Sequence, residues 1–210
     1  MNYLHNNKKG GNMFNFQTLI KKRRSVYSLG AHVEITQDDI TQMIQNCLKN
    51  APSAFNSQST RIIVLYGESY QAFWHMVEQT LQKIVPADKF EATKQRIVSF
   101  ASGIGTVLFF EDEAVIQSLK ERMPTYADRF VIWAEHANAM VQYMVWDALA
   151  EKNIGASLQH YNPLIDEQVH RMFDTPKTWR LIAQMPFGSI EQEPNDKFFE
   201  PIDKRFKVFR

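Results

Sequence analysis

The sequence predicts one α+β domain in which a sheet packs between helices. Short apolar runs rich in β-branched or aromatic residues predict strands at 61–66, 106–110 and 180–185. Longer stretches with apolar residues three and four positions apart predict six or more helices around them. Strands and helices do not alternate as they do in a parallel βαβ sheet, so we expect four or five strands covered by helices.

The composition is that of an ordinary globular domain and excludes several partners. Of the 210 residues, 44% are hydrophobic and 22% are charged, which suffices for one core. The net charge of +1 provides no field that attracts nucleic acid. The single cysteine, Cys47, excludes an intrachain disulfide and a cysteine-based metal site. No apolar run approaches the roughly 18 residues of a membrane helix, so we expect a cytoplasmic protein without nucleic-acid or membrane partners.

The chain begins with a polar segment, a short helix and a basic cluster. Residues 1–12 are polar and contain glycine, so we expect a disordered leader or an expression remnant before a domain that spans 13–210. Apolar residues at helical spacing predict a helix over 14–22 that ends in the cations of 21–24. Cations at a helix C-terminus also stabilise the helix dipole, so this cluster alone does not establish a binding site.

A second helix and a polar loop precede the first long strand. Thr36, followed three residues later by Asp39, resembles a helix cap, and the helix that it begins ends before Pro52. The polar loop 51–60 then leads into the strand at 61–66, and loops held on a rigid edge often carry binding groups. The remaining elements follow from the same patterns: helices at 70–81, 88–100, 128–152 and 166–173, and strands at 106–110, 154–161 and 180–185.

The longest helix and the end of the chain carry more apolar surface than their length requires. The helix at 128–152 has apolar residues on more than one stripe, which indicates a core helix or a dimer interface; the pattern alone favours the core. Asn153 and Gly155 suit a left-handed stop after it. We expect a turn at 186–188 and, over 189–210, an extended tail that is too aromatic to stay free and embraces another surface.

Several common active sites are disfavoured by the spacing of their residues. Gly103 and Gly105 precede a strand, whereas the glycines of a dinucleotide-binding motif follow a strand and open a helix. The serines lie in no G-x-S-x-G motif, which argues against a hydrolase of that type. His136 has no second histidine three or four residues away, so its helix does not predict a metal site.

Polar groups that suit a phosphate, a polyol and an aromatic ring lie in segments at both ends of the chain. Guanidinium groups suit the phosphate, a hydroxyl suits the polyol, and amides suit the imide edge of the ring. The candidates are Arg23, Arg24, Ser25, Ser53, Asn56, Gln58, the turn 159–161, Lys204, Arg205 and Lys207. Their order along the chain matches flavin mononucleotide (FMN) from one end to the other.

The motifs that carry these groups have a counterpart in a known family. They are R-R-S at 23–25, A-P-S-x-x-N-x-Q at 51–58, L-Q-H-Y-N-P at 158–163 and P-F-G at 186–188, followed by a basic residue in the tail. Together they resemble the nitroreductase family of flavoenzymes. The L-Q-H-Y-N-P form resembles its fatty-acid-repression-mutant-like subgroup of yeast and bacteria, and the resemblance covers nearly all of 13–210.

The resemblance implies an assembly as well as a fold. It implies a nitroreductase-like mixed sheet packed between helices, in an intertwined obligate homodimer whose C-terminal tail reaches the partner. Two FMN molecules would lie at the interface, and the helix at 128–152 would form that interface instead of the core. By the same resemblance, Arg23 and Arg205 clamp the phosphate, and Arg24 and Ser25 lie near the phosphate and the ribityl chain.

The resemblance also assigns residues to the flavin ring. Asn56 and Gln58 would address its polar edge, and Ser53 would come from the partner subunit. The backbone at Gln159 and His160 would face flavin N5, and the His160 side chain is a candidate proton donor. No side chain need act as a general base.

The implied activity is a two-electron transfer. The resemblance implies an oxidoreductase that takes electrons from NADH or NADPH and passes them through flavin N5 to nitroaromatic or quinone acceptors by a ping-pong mechanism. Two alternatives stay open: a flavin-binding sensor with little turnover, and a flavin-free interaction protein. The chain has Ser59-Thr60 where many relatives have Pro-Trp, and Tyr27 where some have a basic residue, so pocket shape and substrate preference stay open.

Overall fold

The computed structural model describes residues 15–210, so the leader predicted over 1–12 and the first two residues of the predicted domain lie outside the described part of the chain. Within residues 15–210 the chain forms seven α-helices and five strands. The helices are α1 (Phe16–Lys22), α2 (Gln37–Asn50), α3 (Gly67–Gln82), α4 (Ala87–Ala101), α5 (Glu113–Arg122), α6 (Ala127–Glu151) and α7 (Asp166–Phe173). The strands are β1 (Leu29–Gly30), β2 (Thr60–Tyr66), β3 (Gly105–Asp112), β4 (Gly155–Ala156) and β5 (Trp179–Ile190).

The strands form one sheet in the order β1-β5-β3-β2, and β4 also pairs with β5. The pairs between these strands are antiparallel, and a parallel bridge between Ser25 and Ala156 makes the sheet mixed. β3 lies between β5 and β2, a position that suits its continuous apolar run. The structure thus confirms the α+β class with a sheet between helices.

The two faces of β3 pack into two separate cores, because successive side chains of a strand point to opposite faces. Val107 and Phe109 pack with α2 and with one face of α6. Leu108 and Phe110 pack with α3, α4 and α7. All four side chains are fully buried, so helices cover both faces of the sheet.

Local signals predicted several element ends correctly. The Thr36 hydroxyl accepts a hydrogen bond from the Asp39 N–H at 3.1 Å and caps α2. Asn153 adopts the left-handed conformation, with φ at 58°, just after α6. The helix at 166–173 has the predicted limits. These signals are correct because each depends on residues that are close together in the sequence.

The long helix α6 has one buried face and one partly exposed face. Val141 and Val145 belong to the core with β3, which confirms the core placement for that face. On the other side Ile132, Met140 and Tyr143 remain exposed, so the interface role implied by the resemblance stays a prediction. None of the helices described between residues 15 and 210 combines the length and apolarity that crossing a bilayer requires.

The predicted turn at 186–188 is wrong, because these residues continue β5. Pairing on both sides decides the conformation: Phe187 is paired with Gly105 of β3 on one side and with Ala156 of β4 on the other. A Cβ at Gly188 would lie 2.3 Å from a carbonyl oxygen of β1. The glycine therefore serves close packing between backbones instead of a turn.

The sequence analysis also missed α5 and overestimated β4. Asp112 Oδ1 accepts a hydrogen bond from the Ala114 N–H at 3.2 Å and caps α5, a short helix without a clear apolar period. The strand expected over 154–161 is paired only at Gly155 and Ala156 and at an isolated bridge from Gln159 to β5. A turn at 162–165 follows this stretch.

Phe109→Ala should lower the free energy of unfolding by about 3–5 kcal/mol, because it empties a fully buried site between β3 and the helices. Urea denaturation followed by circular dichroism would measure the loss. Phe109→Leu, which retains most of the volume, should cost less. An alanine variant as stable as the wild type would contradict the central position of this side chain.

Candidate functional site

The segment from Arg23 to Ser25 leaves α1 and joins the sheet beside β4. Arg23 forms the C-cap of the helix. Ser25 makes the parallel bridge with Ala156, and the Val26 N–H donates to the Ala156 carbonyl oxygen at 2.9 Å. The predicted phosphate-binding residues therefore lie against the strand that leads into the predicted N5-facing turn, although well over 100 residues separate them in the chain.

The Arg23 guanidinium is held on one face and one edge. Its Cζ lies 4.4 Å from the centre of the Trp146 ring, within cation–π range. Its Nε lies 3.9 Å from Asp147 Oδ1, and within the described chain neither of these buried atoms has a hydrogen-bond partner. The Trp146 indole is fixed in turn by its N–H, which donates to the Ala156 carbonyl oxygen at 3.1 Å. This arrangement orients the guanidinium before any ligand binds.

A buried acid lies directly behind this arginine. Burial raises the pKa of the Asp147 carboxyl above its ordinary value, opposed by a hydrogen bond from Tyr143 and by the nearby charge of Arg23. Burial also raises the pKa of the Tyr143 phenol, with a further upward contribution from Asp147. The two residues are one helical turn apart on α6, so this helix supplies both a core face and the support of Arg23.

A cavity of about 420 Å³ opens beside the segment. Arg23, Arg24 and Ser25 line one side, and residues within 192–197 line the other. Arg24 Nη2 donates to the Asn195 carbonyl oxygen at 2.6 Å and holds this part of the tail across the cavity. The lining contains more cations than carboxylates, so it suits an anion such as a phosphate.

The turn predicted to face N5 is held against β5. The Gln159 N–H donates to the Gln184 carbonyl oxygen at 2.7 Å, so it is not available to a ligand. His160 follows it and is exposed, and its N–H has no hydrogen-bond partner among residues 15–210. Of the two backbone groups that the resemblance assigned to N5, the His160 N–H is the one that can still donate.

The loop that carries Ser53, Asn56 and Gln58 is closed by its own hydrogen bonds. The Gln58 N–H donates to Ser53 Oγ at 3.0 Å, and the Asn56 N–H donates to the Ser53 carbonyl oxygen at 3.0 Å. Phe55, Asn56 and Gln58 all have positive φ, near 50°, which is uncommon for residues other than glycine. Such strained backbone persists only where the surroundings hold it, and it clusters at functional sites.

Arg61 fixes the end of this loop from the first residues of β2. Its Nη1 donates to the Gln58 carbonyl oxygen at 2.6 Å, and its Nη2 bonds Asp112 Oδ2 at 3.0 Å. The guanidinium also lies over the Trp179 ring at 5.9 Å. The arginine thereby joins the loop to the ends of β3 and β5.

A buried polar network lies beneath the same loop. Thr60 Oγ1 donates to Glu111 Oε1 at 2.7 Å, and Asn138 Nδ2 donates to the same oxygen at 2.9 Å. Gln142 Nε2 donates to Asn138 Oδ1 at 2.7 Å. All four residues are buried, so the network ties β2 and β3 to α6 in one arrangement. Thr60, a departure from the common family pattern, is part of it.

Several predicted residues lie at the surface of the single chain, among them Asn56, Gln58 and Arg205. Phe55, between the loop's polar groups, is 58% exposed and packs its ring against Tyr126, Phe130 and Trp133 with centroids 5.8–6.2 Å away. Asn56 is exposed beside it. Arg205 is exposed in the tail and is not part of the cavity lining at Arg23, so its convergence on the same phosphate stays a prediction.

The sequence analysis missed three residues that shape the site. Trp146 and Asp147 were counted within an apolar helix, and Gln184 within an apolar strand. The usable signal was the same in each element, namely a polar side chain that interrupts an apolar run. A buried polar residue is informative because it needs a partner.

Comparisons with known proteins agree with this arrangement. Residues 20–189 match the model of the Nitroreductase family. The Saccharomyces cerevisiae protein HBN1 is 34% identical over 179 residues, which cover 84% of this chain and 89% of the relative. The nitroreductase FRM2 of the same yeast is 30% identical over 187 residues, which cover 88% and 93%. These relatives agree with the predicted yeast and bacterial subgroup.

Solved structures share the fold. The nitroreductase CinD from Lactococcus lactis, in complex with chloramphenicol, has a TM-score of 0.86 and 36% identity, with 93% of this chain and 100% of that chain covered. The same protein was also solved with 4-nitrophenol. A nitroreductase of Exiguobacterium sibiricum, solved in complex with FMN, shares the fold, with a TM-score of 0.70 and 14% identity. The match covers 95% of this chain and 99% of that chain.

Arg61→Ala should loosen the loop, because the Gln58 carbonyl oxygen and Asp112 lose a charged donor. We expect a loss of about 1.5–3 kcal/mol in stability and faster hydrogen exchange of the Gln58 N–H, measured by urea denaturation and NMR. Arg180→Ala is a matched control, since this arginine pairs with Glu113 and Glu135 at a more exposed site. Equal effects of the two variants would contradict a specific role in the loop.

Proposed function

The chain belongs to the nitroreductase family, whose model matches residues 20–189, and from that membership we propose that it is an FMN-dependent oxidoreductase. We propose NADH or NADPH as the electron donor and nitroaromatic or quinone compounds as acceptors. The observation that carries the proposal is the cavity lined by Arg23, Arg24 and Ser25, whose Ser25 is bridged to Ala156 of β4, the strand that precedes the turn at His160.

The residues present fit the phosphate and ribityl chain of FMN. The Arg23 guanidinium is oriented by Trp146 and Asp147, and its terminal nitrogens remain for two parallel hydrogen bonds to phosphate oxygens. Arg24 adds charge, and the Ser25 hydroxyl suits the polyol. Arg205 would complete the phosphate site from the tail.

The chain's own groups would position the cofactor. FMN, when bound, would supply the two-electron redox chemistry between the electron donor and the acceptor. The His160 N–H would donate a hydrogen bond at N5, and the His160 imidazole could give the acceptor a proton. Asn56 and Gln58 would bind the polar edge of the ring. Because the Gln58 N–H donates to Ser53 Oγ, Ser53, Asn56 and Gln58 would all reach the ring from the same subunit.

Two observations support the proposed acceptor class, one from the relatives and one from the aromatic surface at the loop. CinD was solved with chloramphenicol and with 4-nitrophenol, both nitroaromatic compounds. Here the exposed Phe55 ring and the rings tilted against it offer an apolar aromatic surface beside the polar loop. A planar nitroaromatic or quinone acceptor could stack on such a surface.

We also propose that two copies of the chain form the site together. The single chain exposes a series of apolar side chains on α6 and in the tail: Ile132, Met140, Tyr143, Phe198, Phe199, Phe206 and Phe209. A second copy would cover them, and a tail that reaches the partner would bring Arg205 to the other end of the phosphate site. Burying this surface would also explain why an exposed tail is so aromatic.

The purified protein should be yellow or should gain flavin absorbance on adding FMN, and NADPH or NADH should bleach that absorbance anaerobically. Adding 4-nitrophenol or a quinone should restore it. A bound flavin that neither nucleotide bleaches would support the sensor alternative instead. Protein that stays colourless with added FMN would overturn the proposal.

Arg23→Ala should weaken FMN binding by about ten- to hundredfold, because a charge-assisted contact with the phosphate is lost. Riboflavin, which lacks the phosphate, should bind both proteins equally in fluorescence titrations. Arg122→Ala, at the exposed end of α5, is the control and should bind FMN as the wild type does. Unchanged FMN affinity in Arg23→Ala would reject the phosphate role.

A further inference from the structure

We infer that Gln184 is a positioning residue that selects the His160 N–H as the backbone donor facing the flavin ring. The inference rests on the proposed function and names the residue that leaves the His160 N–H available in the turn. Gln184 lies in the middle of β5, with Leu108 of β3 opposite it, and is fully buried. A leucine of similar size would fill this place in an apolar strand, so the buried amide calls for another explanation.

The backbone of Gln184 accepts a hydrogen bond from the first N–H of the turn. The Gln159 N–H donates to the Gln184 carbonyl oxygen at 2.7 Å, and the Gln184 N–H donates back to the Gln159 carbonyl oxygen at 2.9 Å. In an antiparallel pair, the residue next to such a doubly bonded pair turns its N–H away from the partner strand. The bridge therefore directs the His160 N–H away from β5.

The side chain of Gln184 accepts a hydrogen bond from the third N–H of the turn, that of Tyr161. Its Oε1 accepts a hydrogen bond from the Tyr161 N–H at 2.8 Å. Its Nε2 donates to Asn162 Oδ1 at 3.3 Å. The amide is thus bonded at both ends, as a buried amide must be to avoid a desolvation penalty.

In the described part of the chain, the turn thus has one N–H without a hydrogen-bond partner between two N–H groups that donate to Gln184. Gln159 and Tyr161 both donate to Gln184, and His160 between them is exposed without a partner for its N–H in the described chain. The preceding Ser157 is buried and accepts a bond from the Gln159 side chain at 2.9 Å, which leaves that side chain little freedom as well. The donor at His160 is therefore oriented before the cofactor binds, which reduces the entropy lost on binding.

Gln184→Met tests the inference, because methionine keeps the length and volume but removes both polar ends. In the full-length protein we expect the Tyr161 N–H to lose protection from hydrogen exchange even without FMN. FMN and riboflavin affinities should fall by the same factor, about tenfold, because the phosphate contacts are untouched. The His160 N–H, which FMN should protect in the wild type, should gain little protection in the variant.

Two further variants separate positioning from general destabilisation. Tyr70→Phe removes another buried polar group, a hydroxyl that donates to the Phe100 carbonyl oxygen of α4 and not to the turn, and it should leave both flavin affinities within about twofold of the wild type. Gln184→Glu keeps an acceptor for the Tyr161 N–H and should retain more affinity for both flavins than Gln184→Met. This order of effects would support a role through the Tyr161 bond.

Several results would overturn the inference. One is wild-type flavin affinity and wild-type His160 protection in Gln184→Met. Another is an equal loss of affinity in Tyr70→Phe. A third is a loss of affinity confined to FMN, which would place the effect at the phosphate. If wild-type protein binds flavin while Gln184→Met behaves identically, the inference fails and the proposed function stands. If wild-type protein binds no flavin, both fail.

Discussion

The pairing of β5 on both of its sides is the constraint on which the rest of the structure depends. On one side β5 pairs with β3, whose alternating side chains supply the two cores. On the other it pairs with β1, β4 and Gln159. Ser25 is bridged to β4, and β4 pairs with β5. The pairing of β5 therefore places the segment at Ser25 and the 155–161 stretch beside the core.

The site is built from groups that are positioned before a ligand is present. Trp146 and Asp147 orient Arg23, and Gln184 orients the turn at His160. Each support is a buried or half-buried polar contact, and such contacts are worth more in a low-dielectric interior than in water. An enzyme whose cofactor carries the chemistry needs mainly this kind of positioning from the protein.

The polar loop at 53–58 is also held in place before a ligand is present, in this case with a strained backbone. Its positive φ angles would be unfavourable in a free peptide, and the bonds from Ser53 and Arg61 stabilise them. The buried network at Glu111 holds the strand beneath it. The loop therefore presents its amides and the Phe55 ring from a rigid base, although it lies at the surface.

The sequence by itself determined the α+β class, most helices and the residue types of the site. Caps such as Thr36, the apolar periods and the motifs at 23–25 and 51–58 all depend on residues that are close in the chain. Only the tertiary structure decided that 186–188 continue a strand and that, within residues 15–210, the His160 N–H has no partner whereas the Gln159 N–H has one. It also decided that Asp147 and Gln184 support the site. Each of these outcomes depends on pairing or burial between segments far apart in sequence, and no local pattern encodes which distant segment will satisfy a given polar group.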